Sequence, residues 1–276
     1  MVAVLALVAA VVVGLGDYLG GRASVRRPAM VVTFVGQLTA AVLAVGAALL
    51  MGWDALHRGD LLLGGASGVA AALATIGFFH ALAHGRMSIV APVTAATGVL
   101  VPVLVDLFSG TDLAPVTWVG MAVVIAAIPM VAMRPGGDGS LTLRAELTLS
   151  VVAGCGYALY FLLLGHTDQA SGQWPVAVSF VAGAAALGLV VAVQRAEVRP
   201  WPLGAVGSGV CSVVAGLCIA RALQLGPISL ATVLGSLYPV VTAGLAVRLD
   251  GERLRPLNIV GIALAVGGAA TVAGTH

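Results

Sequence analysis

The chain has 276 residues, of which 60% are hydrophobic and only 9% are charged, and its mean hydropathy is +1.10. A soluble globular protein carries about 25% charged residues, so the chain is predicted to be an all-α integral membrane protein. The net charge is +2, and no dense basic patch indicates a nucleic-acid partner. No cofactor is expected. The three cysteines lack CxxC spacing and are predicted to be core residues rather than metal ligands or disulfide partners.

Apolar runs long enough to cross a bilayer, which needs about 20 helical residues, follow one another along the whole chain. The breaks between them are mostly short and polar, so neighbouring spans are predicted to be antiparallel. Almost no chain remains for a soluble domain. The ten predicted transmembrane helices are 2–20, 29–51, 61–83, 88–109, 115–133, 146–164, 174–193, 203–223, 228–249 and 256–274.

The second half of the chain repeats the first. ALAHGRMSIV at 81–90 aligns with ALQLGPISLA at 222–231 at an offset of 141. The predicted domains are a first five-helix repeat at 1–134, a linker at 135–145 and a second five-helix repeat at 146–276. Because five is odd, the second repeat enters the membrane in the opposite direction. Such inverted repeats are found in many secondary transporters, with the substrate site between the halves.

The ending of each half carries a family resemblance. In the second half, the proline-bearing VLGSLYPVVTAGLAV (233–247) precedes the loop DGERLRP (250–256) and the apolar NIVGIALAVGGAATV (258–272). On these segments the chain resembles the EamA-type ten-helix transporters of the drug/metabolite transporter superfamily. The resemblance implies transport, commonly export, and an acid in the loop, which Glu252 supplies. The first half departs from this pattern, because Thr111 stands at the corresponding position. Relatives handle amino acids, sugars, drugs and nucleotide precursors, so the resemblance names no substrate.

Arginines are distributed unevenly between the two predicted membrane faces. Eleven lie on the face that follows the odd-numbered spans, here named the arginine-rich face. Only Arg58 and Arg221 lie on the other, arginine-poor face. The positive-inside rule makes the arginine-rich face cytoplasmic and places both termini outside. The family resemblance implies both termini inside. We follow the charge count, because it concerns this chain itself.

An acid lies near the end of the first span, in the stretch GLGDYLGGR at residues 14–22. Asp17 is either an interfacial carboxylate solvated near Arg22 or a cavity-facing acid that binds a proton or a cationic group. Its repeat-related residue at an offset of 140 is Tyr157, which also forms hydrogen bonds and favours the cavity. Charged groups inside a membrane are costly and mark functional positions. Asp17 is therefore the candidate for proton coupling.

His80 and Arg221 are also repeat-related, each about one turn before a hairpin loop. One interpretation is that both side chains snorkel to the interface. The alternative is a gate or an anion contact at one mouth of a transport path. His80 and His84 have the i, i+4 spacing of two metal ligands, but no third ligand is nearby in sequence and no metal site is predicted.

Neutral polar side chains lie deeper in the spans. Hydroxyl groups in membrane helices often bond to their own backbone, so each one alone favours a structural interpretation. Together they indicate a cavity with hydrogen-bond partners and little fixed charge. The further candidates for substrate binding are Gln37, Tyr157, Ser236 and Tyr238.

Other function classes are weaker. The sequence G-x-S-G within 64–69 would make Ser67 the nucleophile of an intramembrane hydrolase, but that chemistry needs a base within hydrogen-bond reach. A serine recurs at the repeat-related Ser208, as expected for helix packing. No nucleotide-binding motif is present, and an enzyme is not expected. No ring of charges indicates a channel. A non-transporting scaffold or receptor is left open.

The sequence predicts a secondary active transporter that moves a small neutral or zwitterionic metabolite or drug by alternating access. Export follows from the resemblance, and the energy source is a proton gradient or substrate exchange. The expected partners are the lipid bilayer, a small-molecule substrate and protons, and a homodimer is left open. Arginine without lysine and a high Ala, Val and Gly content fit a GC-rich bacterial genome. The predicted location is the plasma membrane.

Overall fold

The all-helical prediction is confirmed for the part of the chain that the structure describes. A computed structural model describes residues 1–24, 27–53, 55–84, 93–94, 97–98, 101–102, 105, 108, 114–132, 142–199, 201, 203–250 and 256–273. Nearly all of these residues are helical, and no strand occurs among them. The helices with continuous bounds are α1 (Val2–Ser24), α2 (Ala29–Met51), α3 (Arg58–His84), α4 (Pro115–Ala132), α5 (Leu143–Gly165), α6 (Trp174–Val193), α7 (Leu203–Leu225), α8 (Ile228–Gly235), α9 (Tyr238–Asp250) and α10 (Pro256–Ala273), with a 3₁₀ turn at Gln169–Ser171.

Several helices are long and apolar enough to cross a membrane. Six qualify within the described residues, and α4 contributes a shorter apolar stretch at Pro115–Ala127. The chain is therefore a multi-pass membrane protein. The predicted bounds 29–51 and 174–193 coincide with α2 and α6. The predicted span 88–109 lies largely outside the described residues, and its described positions are helical.

One predicted span differs from the observed structure. The run 228–249 was expected to be a single helix, but it forms α8 and α9, which are separated at Ser236 and Leu237. A proline has no backbone N–H to donate and disfavours a regular helix in the turn before it, and Pro239 comes just after this break in the sequence. The Ser236 hydroxyl donates to the Val233 carbonyl at 2.8 Å and thus stays within its own turn. The break places Tyr238 at the start of α9, part-way along the span.

Glycines set the closest helix contacts. A Cβ at Gly68 on α3 would meet the Ser179 carbonyl on α6. A Cβ at Gly209 on α7 would meet the Gly36 carbonyl and, at 2.8 Å, the Cβ of Thr39 on α2. Small residues let membrane helices approach to backbone contact, and van der Waals packing then holds them together. The buried core is correspondingly rich in alanine.

The contacts between helices recur in the two halves. Helix α1 packs along α7, and α3 packs along α5. At the first contact a Cβ at Gly16 would lie 2.9 Å from the Cβ of Cys211. At the second a Cβ at Gly156 would lie 2.8 Å from the Cβ of Ala74. Gly16 and Gly156 are 140 residues apart, the offset at which the sequence pairs Asp17 with Tyr157, and each is a close-contact position of its helix.

Candidate functional site

Asp17 lies beside two close helix crossings. Gly14 is buried, and a Cβ there would meet the Tyr238 carbonyl of α9 at 2.7 Å. Gly16 is buried against Cys211 of α7. The side chain of Asp17 itself is exposed, although its helix is held on both sides by these contacts. The glycines therefore bring α7 and α9 next to α1 and leave the carboxylate accessible between them.

The groups around Asp17 come from four helices. Its carboxylate is near enough to interact electrostatically with the side chains of Tyr157, Cys211 and Tyr238. The Tyr157 hydroxyl forms a hydrogen bond of 3.2 Å with the Thr75 hydroxyl on α3. We name these five residues, Asp17, Thr75, Tyr157, Cys211 and Tyr238, the Asp17 cluster. It joins α1 and α3 of the first half to α5, α7 and α9 of the second.

Aromatic and small residues surround Tyr157. The Phe78 ring meets the Tyr157 ring edge to face, with 6.2 Å between the ring centroids. On the other side, a Cβ at Gly98 would lie 3.8 Å from the Cβ of Tyr157. Thr94 is 3% exposed, and a Cβ at Gly154, one turn before Tyr157 on α5, would lie 2.7 Å from the Thr94 carbonyl oxygen. The Thr94 hydroxyl oxygen has no hydrogen-bond partner among the described residues. Tyr157 is thus next to an aromatic ring and a glycine, and a buried hydroxyl lies beside the preceding turn of its helix.

The chemistry of the cluster suits a proton or a polar, weakly charged molecule. Asp17 forms no hydrogen bond or ion pair with another residue in the described ranges, so its carboxylate is available to a ligand. The two phenols and the threonine hydroxyl can each donate or accept a hydrogen bond. An isolated carboxylate among such groups favours a proton, an ammonium group or a hydroxyl donor and repels a polyanion.

A second group of polar contacts links the α2–α3 connection to the α5–α6 connection, on the predicted arginine-poor face. Asp60, in the first turn of α3, is only 6% exposed. Its Oδ2 accepts a hydrogen bond from the Ser171 hydroxyl at 2.5 Å and another from the Asp168 backbone N–H at 3.2 Å. The His57 backbone N–H donates to the Ser171 hydroxyl at 3.2 Å. We name Asp60, Ser171 and Asp168 the polar latch, because it ties the α2–α3 connection to the α5–α6 connection.

Backbone and aromatic contacts reinforce the polar latch. Gly52 and Gly172 have φ angles of 72° and 57°, which favour glycine. A Cβ at Gly172 would lie 2.7 Å from the Gly52 carbonyl. The rings of Trp53 and Trp174 meet edge to face with centroids 5.4 Å apart. Two loops of different halves are therefore in backbone contact at this face.

Arg221 lies at the arginine-poor end of α7. One of its terminal nitrogens donates to the Gln169 side-chain oxygen at 3.2 Å and to the Gln224 side-chain oxygen at 3.5 Å. The Gln169 amide nitrogen in turn donates to the Gln224 carbonyl at 2.8 Å. Arg221 forms no ion pair within the part of the chain that is described. It does not join the Asp17 cluster.

The other predicted site residues are dispersed. Gln37 packs against α6, where a Cβ at Gly183 would lie 2.6 Å from its amide nitrogen, and it does not join the Asp17 cluster. Ser236 is 7% exposed at the break between α8 and α9. His80 lies in α3, but its side chain is outside the described part, as is Glu252. The Ser67 hydroxyl is fully buried and donates to the Gly64 carbonyl at 2.7 Å, as a structural serine does.

Several polar residues of the structure were not singled out from the sequence. Thr75 was missed, because a threonine in an apolar run gives no signal until its partner Tyr157 is known. Asp60 was assigned to a polar connection, although it is buried in the polar latch. Glu146, at the predicted start of a span, is also fully buried. A carboxylate at a span boundary could have raised the question of burial, but the sequence does not show which loop would cover it.

Comparison with known proteins agrees with this architecture. Residues 144–274 match the sequence model of the EamA-like transporter family. No curated protein matches the chain significantly. A crystal structure of a protein that is 20% identical to this chain superposes with a TM-score of 0.80, covering 98% of this chain and 95% of that one. At this identity the likeness shows a shared fold alone. The match covers residues 144–274, and over this part the chain is similar to the EamA-like transporter family, in agreement with the resemblance that the sequence shows.

Proposed function

We propose that the protein is a secondary active transporter that exports a small neutral or zwitterionic metabolite or drug by alternating access, with Asp17 as the proton-coupling residue. The observation that carries the proposal is the Asp17 cluster. An accessible carboxylate without an ion-pair partner in the described ranges lies among hydroxyl groups of both halves. Intramembrane acids in such settings mark proton relays and substrate paths.

The arrangement of the helices supports alternating access. Repeat-related glycines on α1 and α5 receive helices of the opposite half, as two inverted five-helix repeats would require. The break between α8 and α9 brings Tyr238 to the cluster, and discontinuous helices commonly line transporter sites. In this arrangement one five-helix half rocks against the other about the Asp17 cluster.

In each end state of an alternating-access cycle, one face of the protein is closed and the other is open, and the two faces of this protein differ in this way. The polar latch closes the arginine-poor face. Asp17 lies in the part of α1 that leads to the arginine-rich face, and its side chain is exposed. We infer that this state admits substrate from the arginine-rich face, which the charge count makes cytoplasmic. Loading from the cytoplasm is the first step of export.

The polarity of the cluster limits the substrate. A single carboxylate, two phenols and a threonine hydroxyl provide hydrogen bonds but no positive charge. A polyanion would have to enter beside Asp17 without a compensating cation, at a high desolvation cost. A molecule with an ammonium or hydroxyl group next to a modest apolar body fits the phenyl and methyl groups around Tyr157.

The test is flux from liposomes that contain the purified protein and a defined pool of zwitterionic amino acids and neutral nucleosides, read by mass spectrometry. A pH gradient is imposed or omitted, and the native protein is compared with Asp17→Asn. The matched control is Glu197→Gln, because Glu197 is an exposed acid outside both the Asp17 cluster and the polar latch.

We expect that the gradient drives flux of one class of molecule in the native protein and in Glu197→Gln. In Asp17→Asn the gradient-driven part is lost, while equilibrative exchange of the same molecule remains. Gradient-driven flux that survives in Asp17→Asn contradicts the role of Asp17. Folded protein that moves nothing in the pool contradicts the substrate class and favours a scaffold or receptor.

A further inference from the structure

A cavity separate from the Asp17 cluster opens beside Arg221 at the arginine-poor face. Its volume is about 410 Å³, within the range of small-molecule sites. Most of its wall is apolar, and its polar part comes from Arg221 and two glutamine side chains. The lining residues are Leu5, Met51, Gly52, Gly172, Gln173, Leu217, Cys218, Arg221 and Gln224. We name it the Arg221 cavity.

The charge of Arg221 is not neutralised by the residues that hold it. Its two recorded partners, Gln169 and Gln224, are neutral amides that fix the guanidinium in place. A guanidinium presents a planar fork of N–H donors that matches the geometry of a carboxylate. The half-buried arginine is therefore a prepared anion contact at the end of a transmembrane helix.

A second polar group in the same wall also lacks a partner. Gln173 is 6% exposed, and its side-chain oxygen has no hydrogen-bond partner within the described part of the chain. No other described residue bonds to this oxygen, and Gln173 is a second polar side chain in the cavity wall beside Arg221. Since the oxygen and nitrogen of a glutamine amide exchange by a flip, Gln173 can present a donor or an acceptor there. A water molecule would satisfy Gln173 but would not neutralise Arg221.

We propose that the Arg221 cavity is a binding site for an organic carboxylate with an apolar body. One carboxylate oxygen would accept from the guanidinium of Arg221 and the other from the amide of Gln173. The apolar body would lie against Leu5, Leu217 and Met51. This site goes beyond the proposed transport site, because it lies at the closed mouth and shares no residue with the Asp17 cluster. The lining residues Gly172 and Gln173 directly follow Ser171 of the polar latch, so a bound ligand would also stabilise the contacts of the polar latch.

The test uses octanoate as the probe and the intrinsic fluorescence of the purified protein in nanodiscs as the readout. Trp53 follows Gly52 and Trp174 follows Gln173, so two indole rings are next to the cavity wall. Octanamide has the same apolar body without the charge. Oleate supplies the same carboxylate from within the bilayer and distinguishes a lipid-borne ligand from a free one.

We expect a saturable fluorescence change with octanoate, oleate or both, and none with octanamide. Arg221→Gln should weaken this binding about tenfold or more, because a charge-assisted hydrogen bond is lost. Arg221→Lys should retain part of it. The matched control is Arg58→Gln, which removes an exposed arginine from the same face and should bind as the native protein does.

The proposal is overturned if octanamide binds as well as octanoate, if neither carboxylate gives a saturable change, or if Arg221→Gln binds like the native protein. Octanoate binding without oleate binding identifies a water-soluble carboxylate, and the reverse identifies a lipid-borne one. Should Arg221→Gln fail to fold, Gln173→Leu tests the same contact from the opposite wall and should also lower the affinity. The measurement needs no transport, so its failure leaves the proposed function unaffected.

Discussion

Removing the Asp60 carboxylate should open the arginine-poor face of the protein. The carboxylate accepts two hydrogen bonds, from the Ser171 hydroxyl and from the Asp168 backbone, and it is 6% exposed. A hydrogen bond to a charged group contributes about 1.5 kcal/mol or more. Two such bonds stabilise the latched state relative to the open state by about 3 kcal/mol, which corresponds to a ratio of about a hundred between their populations. Asp60→Ala should shift the conformational equilibrium by up to this factor.

A native cysteine can report this shift. Cys211 belongs to the Asp17 cluster and is 8% exposed, whereas Cys155 is exposed and Cys218 lines the Arg221 cavity. In a background with Cys155→Ala and Cys218→Ala, a membrane-impermeant thiol reagent is added from each face of oriented vesicles. In Asp60→Ala the reagent should label Cys211 from the arginine-poor face at least tenfold faster than it does in the background protein.

Ser171→Ala provides the second arm of the experiment. It removes the shorter of the two bonds and should give a smaller increase in labelling. Adding Ser171→Ala to Asp60→Ala should raise the labelling rate of Cys211 by less than Ser171→Ala raises it alone, because the two residues share one interaction. If folded Asp60→Ala labels at the background rate, the polar latch does not hold the mouth closed, and the assignment of the closed face is refuted.

Three further predictions concern packing and the cluster. Tyr157→Phe removes the hydrogen bond to Thr75 and should lower the substrate affinity about threefold to tenfold in a flux assay. The temperature of thermal unfolding should change little. An unchanged affinity would show that the Tyr157 hydroxyl does not contact the substrate. Gly209→Val should lower the unfolding temperature strongly or prevent folding, because a Cβ at this position has no room against α2. Gly46→Val should have little effect, since Gly46 has open space around it. Equal effects of the two variants would contradict the described α2–α7 contact. Ser67→Ala should leave flux unchanged, since the hydroxyl bonds only to its own helix, and a loss of flux in folded protein would reopen a chemical role for it.

Helix positions follow closely from the sequence, because membrane helices are determined by local apolar length. The bounds of α2 and α6 agree with the apolar runs at both ends. The break in the ninth predicted span was foreseeable only in part. Pro239 marks a weak point, but prolines are tolerated in membrane helices, and whether one kinks or interrupts the helix depends on its neighbours. Here the chain separates at Ser236 and Leu237.

Site residues were harder to predict, because they depend on which helix faces meet. The repeat aligned Asp17 with Tyr157, and the structure brings these two side chains within electrostatic reach of each other. Arg221 was recognised as an unusual charge, but its cavity joins residues of three helices to Gly52, Gly172 and Gln173 of two connections, and this meeting is not local information. In the sequence, a buried carboxylate such as Asp60 looks like any other residue of a polar connection between two spans. Tertiary contacts, not composition, decide their burial.

Proton coupling through Asp17 can be measured by counting the protons that move with each substrate molecule. Liposomes with a pH-sensitive dye inside and the transported molecule on one side would report proton movement and substrate flux in the same sample. We expect that substrate moves protons in the opposite direction at a fixed ratio in the native protein, and that Asp17→Asn moves substrate only by exchange, without protons. Substrate flux with no accompanying proton movement in the native protein would contradict proton coupling through Asp17.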